Sequence, residues 1–561
     1  MSNPELATLE PSHELSSNDE ERRQQYIGRG WWASIPLTIV PADWLNDGEM
    51  RLDAGYYAES AAAALRVIED CKLEVKPLGE AVKDVFILDR FRRVYATDKN
   101  AGWPYLSASE ALEFRPSSER WIAKDHAPRQ KGRHFAKPGW LLVSASGTVG
   151  RVAFATERLS KYFLTHDLLR VEPDALPLSG YLYAFLSSWI GQALITKDKY
   201  GSAIKHLEPR HLSKVPIPIL PENEQEEIHQ NIERAWKLRD KANDLLDDAD
   251  ALLHHELGLP HFSENLIPYL PPPKVSKPSI ATMPHPQAFT VNASELNDRF
   301  DVSYHVPVVK MITTLLQDGR HEAVRLDSLA TGIRIPPRFK RIYVKKEFGV
   351  PFLRPSHLPQ VRPYDLGYIS HLTPVLSQLK LNEGEVLITT DGTVGRIGLV
   401  SSRTNGWAGS NNIARVIYSK DDHRNGYLAA FLSTPYGYHQ LAREIFGGVV
   451  DHIEESQIRS VLIPSPPPEV QSEIGKLFVK AFEKKDEASE IENVTIRQCE
   501  EALTNMNDQT TKTGQKSEEP VSEADRFRSF VKEIMSVPKS EIDKREAEYQ
   551  AQKAAKKPAQ K

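Results

Sequence analysis

Apolar and polar positions follow three different rhythms along this 561-residue chain. Residues 1 to about 30 show no apolar periodicity, and a disordered leader is expected there. Ordered chain is expected to begin at Trp31-Trp32. Leu52 to Cys71 places Tyr56, Ala63, Leu65, Val67 and Ile68 in Ala-rich sequence, which predicts a helix. From Lys76 to Pro173 the pattern changes to short β-type runs broken by Gly and Pro: Val85–Ile87, Arg92–Tyr95, Trp140–Val143, Arg151–Phe154 and Leu168–Val171. Leu182, Phe185, Leu186, Ile190 and Leu194 then predict one amphipathic helix over Gly180–Thr196. Val215–Pro221 is a proline-edged run that cannot lie in the centre of a sheet.

At Pro221 the rhythm lengthens. Ile228, Ile232, Trp236, Leu238, Leu245, Leu246, Leu252 and Leu253 form an apolar seam through a charged background, and Gly258 and Pro260 stop it. Pro260 to Pro286 reads as a linker around Pro271-Pro272-Pro273. A second long helix follows Pro466-Pro467-Pro468, with Ile474, Leu477, Phe478, Phe482, Ile491, Val494, Ile496 and Ala502 on its seam. Neither stripe can be buried alone. The two helices are therefore expected to pair as an antiparallel coiled coil. Ile228, Ile232, Trp236, Leu245 and Leu252 of the first would meet Ile474, Phe478, Phe482 and Ile491 of the second, with a globular domain at each end.

The chain repeats itself. At an offset near 246, Arg51–Tyr57 answers Arg299–His305, Arg90–Tyr95 answers Arg338–Tyr343, and Gly147-Thr-Val-Gly-Arg151 answers Gly392-Thr-Val-Gly-Arg396. Gly180–Ile228 aligns without a gap on Gly426–Ile474, with 18 of 49 positions identical, so the repeated unit is a whole domain followed by a helix. The fold class expected is α+β: two tandem globular α/β domains of one fold, separated by the paired helices. The boundaries are a leader over 1–30, a first domain over 31–220 and a central helix over 221–258. A linker over 259–290, a second domain over 291–466, a distal helix over 467–506 and a charged flexible tail over 507–561 complete the division.

Charge changes the picture. The net charge of −5 is unpromising for a nucleic-acid binder, but the charges are segregated. Glu222–Gly258 holds eleven acidic residues against four basic ones, whereas Arg90–His134 holds ten Lys/Arg against five Asp/Glu, and Arg334–Lys346 holds six Lys/Arg and no acid. Two cysteines, Cys71 and Cys499, exclude a disulfide framework or a Cys-rich zinc site and fit a reducing cytosol. No apolar run is long enough for a membrane span, so a cytoplasmic protein is expected.

Candidate chemistry is mostly absent. The Gly-Thr-Val-Gly-Arg stretch lacks the Gly-Lys-Ser/Thr end of a phosphate loop and lies between two β-type runs. A hairpin turn is the plain reading, although the turn can still bring Arg151 and Arg396 to a ligand. His254-His255 shows no metal spacing and is expected on a helix surface; no metal site and no catalytic constellation are predicted. What remains is recognition chemistry. Arg90, Arg92, Arg93 and Tyr95 recur as Arg338, Lys340, Arg341 and Tyr343, and alternating cations with a Tyr on a short strand can meet phosphates or guanine edges. The alternative is a solvated strand face. Lys131, Arg133, Lys199 and Lys205 lie where the copies differ, as base-reading residues would if the domains read different sequences.

These residues resemble the DNA-specificity subunit of Type I restriction-modification enzymes. The resemblance rests on the Ser146–Arg151 and Asp391–Arg396 turns, on Ile217-Pro-Ile-Leu-Pro-Glu-Asn-Glu224-Gln225 and Ile463-Pro-Ser-Pro-Pro-Pro-Glu469-Val-Gln471 leading into long helices, on the Arg51–Tyr57 start and on Pro351–Arg354. It implies two target recognition domains, each reading half of a split double-stranded DNA target. It also implies helices that set the spacer and dock methyltransferase subunits, two of them, with a motor-nuclease subunit joining. S-adenosylmethionine, ATP and Mg would belong to those partners, and this chain would hold no cofactor. The second helix start lacks Glu before Gln471, and the leader, linker and tail lengthen the chain. A recognition subunit of another phage-defence complex, and a coiled-coil adaptor with no DNA role, are the alternatives.

Overall fold

The computed structural model describes residues 59–505, apart from 97, 119, 175, 201–204, 262–288, 297–298, 420 and 448–449. The expected leader, the Arg51–Tyr57 motif, the middle of the proline linker and the charged tail lie outside the described residues.

The fold mixes helix and sheet and is built twice. Each copy has a four-stranded antiparallel sheet of one topology. In the first copy the order across it is Asp84–Phe86, Leu168–Glu172, Leu141–Ser144, Val152–Phe154; in the second it is Gly332–Arg334, Ile413–Ile417, Val386–Thr389, Ile397–Leu399. The central strands are buried on both faces, which is why Leu141–Val143 and Val386–Ile388 are continuous apolar runs rather than alternating ones. A smaller sheet stands beside each: Trp121–Ala123, Gly102–Leu106 and Phe163–Leu164 in the first copy, and Tyr343–Val344, Gly367–Ser370, Gly349–Leu353 and Ala408–Gly409 in the second. The proline-edged runs form two-stranded ribbons, Pro216–Pro218 with Val75–Pro77 and Leu462–Pro464 with Ala323–Arg325, where a missing N–H costs nothing.

Two expected elements differ. Arg92–Tyr95 forms no strand; it is an extended segment held to the small sheet by one bridge from Tyr95 to Ile122. Adjacent arginines leave neither face apolar, so nothing drives a ladder. The predicted helix over Gly180–Thr196 is two helices. After α1 (Glu59–Asp70) come α2 (Leu176–Ser187) and α3 (Trp189–Lys197), and Ser188 between them turns extended and caps α3 by accepting the Gly191 N–H. Nor is the segment amphipathic: Tyr181 to Leu186 are all buried, because α2 is sandwiched between the sheet and a long helix.

The long helices are α4 (Glu222–Leu257), entered from Pro221 and ended by Gly258 in the left-handed conformation, and α7 (Pro468–Asn505). Between them lie α5 (Asp422–Ser433) and α6 (Pro435–Arg443), the counterparts of α2 and α3. The first domain's core takes in Ile228, Ile232 and Trp236 from the start of α4 and Ile496, Cys499 and Leu503 from the end of α7. The second takes in Leu245, Leu246, Leu253 and Leu257 from the end of α4 and Ile474, Phe478 and Ala481 from the start of α7. The two helices thus pack lengthwise and run in opposite directions. Leu252 and Phe482 are partly buried against the second core. Ile491 is only half-buried and Val494 is 37 % exposed; α7 instead buries Ala488, Ser489, Glu492, Thr495 and Ile496 there.

The expectation that the helices hold the domains apart needs correction. Each domain lies along its half of the pair, and the domains touch. The Phe114 N–H donates to the Pro359 carbonyl at 2.6 Å, and Phe114 is buried within the second domain's core.

Candidate nucleic-acid interface

The repeated turn is a scaffold. Gly147, Gly150, Gly392 and Gly395 all have φ between 74° and 90°, which only glycine adopts without strain. In each copy the turn closes on the strand before it: the Gly150 N–H donates to Ser144 O at 3.0 Å, and the Gly395 N–H to Thr389 O at 3.0 Å. The next amides are also committed, Gly147 N–H to Lys205 O at 3.0 Å and Gly392 N–H to Asp451 O at 2.9 Å. With these glycine N–H groups engaged in the chain, they are not available to cradle a phosphate.

The arginine after each turn reaches the other domain. Arg396 Nη1 lies 3.2 Å from Glu113 Oε1, and the Arg151 guanidinium sits 4.7 Å from the centre of the Tyr364 ring. Burial raises the Glu113 carboxyl and lowers the Arg151 guanidinium, and Arg396 opposes the first shift.

The basic segments lie on the surface. Arg90, Arg92 and Arg93 are exposed; Arg93 donates to Asp167 at 3.1 Å and to Thr165 at 3.4 Å, while Tyr95 packs edge-on against Tyr105. Lys131 sits 5.8 Å above the Trp103 ring, and Arg133 donates to Asp84 at 2.7 Å while covering Phe86. Lys199 and Lys205 are exposed on the loop bridged by Tyr200 and His206. In the second domain Arg338 and Lys340 are exposed and have no hydrogen-bond or ion-pair partner among the described residues. Arg341 donates to Asn411 at 3.3 Å. The Tyr343 ring, 52 % exposed, lies over Gly367, where a Cβ would come within 2.8 Å of it. The structure therefore places Arg90–Tyr95, Lys131 and Arg338–Tyr343 beside the small sheets, Arg133 against Asp84 and Phe86 of the large sheet, and Lys199 and Lys205 on the loop bonded to the Gly147 turn, while the two turn arginines face the other domain.

Sequence reasoning missed two arginines. Arg170 and Arg415 occupy equivalent positions in the central sheets and are fully buried. Arg170 donates to the carbonyls of Leu168 and Thr165, and Arg415 to those of Gln378, Leu379, Lys380 and Gly409. Burial lowers both guanidinium groups. They stitch the large sheet to the small one in each copy, and a cation in the middle of an apolar strand is the signal that could have found them.

His254 is not on a helix surface; it is 5 % exposed, with Nδ1 3.0 Å from Leu259 O. Asp250, His254 and His261 offer ligand atoms within 4.8 Å of one another. The two imidazole centres lie 3.9 Å apart with the rings tilted by 34°, an aromatic contact between the two side chains.

His134, beside Lys131 and Arg133, is 1 % exposed and stacks on Phe163 at 4.2 Å. Burial holds its imidazole down at about 4. The unfolded chain takes up a proton near pH ~6.5 that the folded one refuses, so stability present above that pH is lost as pH falls towards 4. For His134→Phe, unfolding in denaturant at pH 7 and pH 4.5 is expected to show a smaller acid loss than the parent, by about 2.5 kcal/mol. Equal losses would remove His134 as a cause.

The family model of the Type I restriction modification DNA specificity domain matches residues 81–240 and 334–498. No curated protein matches. Among solved structures, the Type-I restriction-modification system S subunit from M. genitalium is 11% identical, with 78% of this chain and 96% of that one covered and a TM-score of 0.33. The HsdS subunit from Thermoanaerobacter tengcongensis is 15% identical, with 78% and 95% covered and a TM-score of 0.24. A chain from a structure on complex assembly and conformational transition of the type I R-M system is 16% identical, with 78% and 98% covered and a TM-score of 0.24.

Proposed function

This chain belongs to the Type I restriction modification DNA specificity domain family, and on that premise we propose that it is the non-catalytic, DNA-reading subunit of a restriction-modification complex. Each domain reads one half of a bipartite double-stranded target. The observation that carries this is that the family match falls on both copies, and that each copy exposes the cations of its repeated Arg90–Tyr95 or Arg338–Tyr343 segment at the surface. Phosphate contacts from Arg90, Arg92, Arg93, Arg338, Lys340 and Arg341 set register, and residues that differ between the copies, Lys131, Arg133, Lys199 and Lys205 among them, read bases. Because the copies differ, the target is asymmetric.

The antiparallel helix pair seats one domain along each half, so that its length sets the distance between the half-sites, and it docks two methyltransferase subunits, with a motor-nuclease subunit joining the complex. S-adenosylmethionine, ATP and Mg are bound by those partners. No helix among the described residues is long and apolar enough to cross a membrane, which is consistent with work in the cytoplasm.

The test uses the segment whose side chains have least else to do. Replacing Arg338, Lys340 and Arg341 by Ala is expected to leave the melting temperature near that of the parent. It should weaken DNA binding by roughly 30-fold, and the slope of log K against log salt should shrink by about 2–3. Unchanged affinity and slope would take this segment out of the interface.

A further inference from the structure

We propose that direct contact between the two domains, closed by Arg396–Glu113 and Arg151–Tyr364, fixes the relative rotation of the two DNA half-sites. The inference rests on the DNA-reading function proposed above. It assigns the rotational setting to residues outside the helix pair, whose length sets the distance.

The contact is reciprocal. In each copy a strand of the small sheet, Gly102–Leu106 or Gly349–Leu353, leads into a short 3₁₀ turn, Glu110–Leu112 or Pro355–His357. The chain just beyond each turn meets its equivalent from the other copy. Phe114 N–H donates to Pro359 O at 2.6 Å, Glu113 bridges to Gln360 in antiparallel sense, and Val361 N–H reaches Leu112 O at 3.5 Å. Side chains are exchanged as well: Phe114 is buried in the second domain's core, and Val361 packs against the first. Like surfaces meeting in this way form the isologous pattern of a two-fold contact, here within one chain.

The turn arginines close it. Arg396 comes from the second domain to Glu113 of the first, both partly buried at 37 % and 20 % side-chain exposure. Arg151 comes from the first domain to Tyr364 of the second, whose hydroxyl is 3.5 Å from Thr148 Oγ1. The same contact is seated on the middle of the helices: Asn243 donates to Phe114 O at 2.8 Å, and Lys485 lies 4.5 Å above the Phe114 ring.

The consequence is geometric. Helix length sets how far apart the two domains lie along the pair, but each core is seated on one end of it, so twisting or bending of the pair between them can still turn one domain relative to the other. Paired backbone and two crossed arginine contacts at the middle of the pair remove that turn. DNA half-sites separated by one more base pair are rotated by about 36°, since a helical turn takes 10–10.5 base pairs. A chain whose domains cannot turn relative to each other accepts one spacer length.

The full chain would be used to select binding sites from double-stranded DNA of random sequence, followed by sequencing. The parent is expected to return one bipartite target with one spacer. Glu113→Lys and Arg396→Glu should each return the same half-sites with the spacer spread over several lengths, and the double swap Glu113→Lys/Arg396→Glu should restore the single spacer. Tyr364→Leu, at an exposed ring, gives the same readout without a new charge if a single swap does not fold. One unchanged spacer in the single swaps and in Tyr364→Leu overturns the proposal. A parent selection with no bipartite sequence would instead overturn the DNA-reading function itself, and the spacing proposal with it.

Discussion

Glu492→Leu alone is expected to destabilise the chain by about 3–5 kcal/mol, while Glu492→Leu combined with Arg239→Met and Tyr183→Phe costs little or nothing. The three side chains meet where α4, α7 and α2 come together. Arg239 and Glu492 form an ion pair with side-chain exposures of 2 % and 1 %, and the Tyr183 hydroxyl donates to the same carboxylate. Burial works to raise the Glu492 carboxyl, but the positive charges of Arg239 and Arg362 and the two hydrogen bonds outweigh it, so the group stays ionised and below its usual range. Arg239 also lies 4.7 Å above the Trp236 ring. Attraction in such a site roughly repays the cost of stripping water from two charges, so the intact pair adds little net stability. Removing one partner leaves the other charge buried and unpaired, and that carries the large penalty. Removing the pair but keeping Tyr183 still leaves a hydroxyl without an acceptor, worth about 1–3 kcal/mol. Equilibrium unfolding of the three variants distinguishes these cases. If Glu492→Leu alone unfolds like the parent, the network contributes no such constraint and water must reach the site.

The same residues show where sequence reading succeeds and where it stops. The doubled domain, the turns and the long helices were legible because each writes a period: an offset near 246, glycine pairs between apolar runs, and a stripe of apolar residues three and four apart. The stripe misleads at the middle of α7. Ile491 looks like a seam residue and Glu492 does not, yet Glu492 is buried and Ile491 half-exposed. A buried carboxylate is permitted there only by Arg239, some 250 residues away, and no local pattern announces that pairing. The domain contact is hidden for the same reason. Glu113, Phe114 and Tyr364 sit in irregular chain, and their partners exist only once both domains are folded. Arg92–Tyr95 fails in the opposite sense: its alternation suggested a strand, but without an apolar face the segment stays irregular and keeps its arginines at the surface.

Gly475→Ala is expected to destabilise by about 4 kcal/mol, although in an exposed helix the same change stabilises by roughly 1 kcal/mol. The reason is how closely α5 and α7 approach. A Cβ built on Gly475 would lie 1.6 Å from the His423 carbonyl oxygen, and one on Gly426 would lie 2.5 Å from the Gly475 carbonyl oxygen. Both obstacles are backbone, which cannot swing aside as a side chain can. The helices would have to part by more than an ångström, opening the packing of Ile474 and Phe478 against the second core. The first copy meets the same demand at one residue only. Gly180 faces His229, whose Nδ1 accepts the Gly180 N–H at 3.1 Å, and His229 is the residue aligned with Gly475. Where the first copy spends a glycine on one helix and a hydrogen bond on the other, the second uses glycine on both. Gly132→Ala, with nothing within 4 Å of its Cβ, is the matched control and should unfold like the parent. Thermal and denaturant unfolding of the two variants decides the sign. A Gly475→Ala chain as stable as the parent, or more so, would mean that α5 and α7 are not in backbone contact.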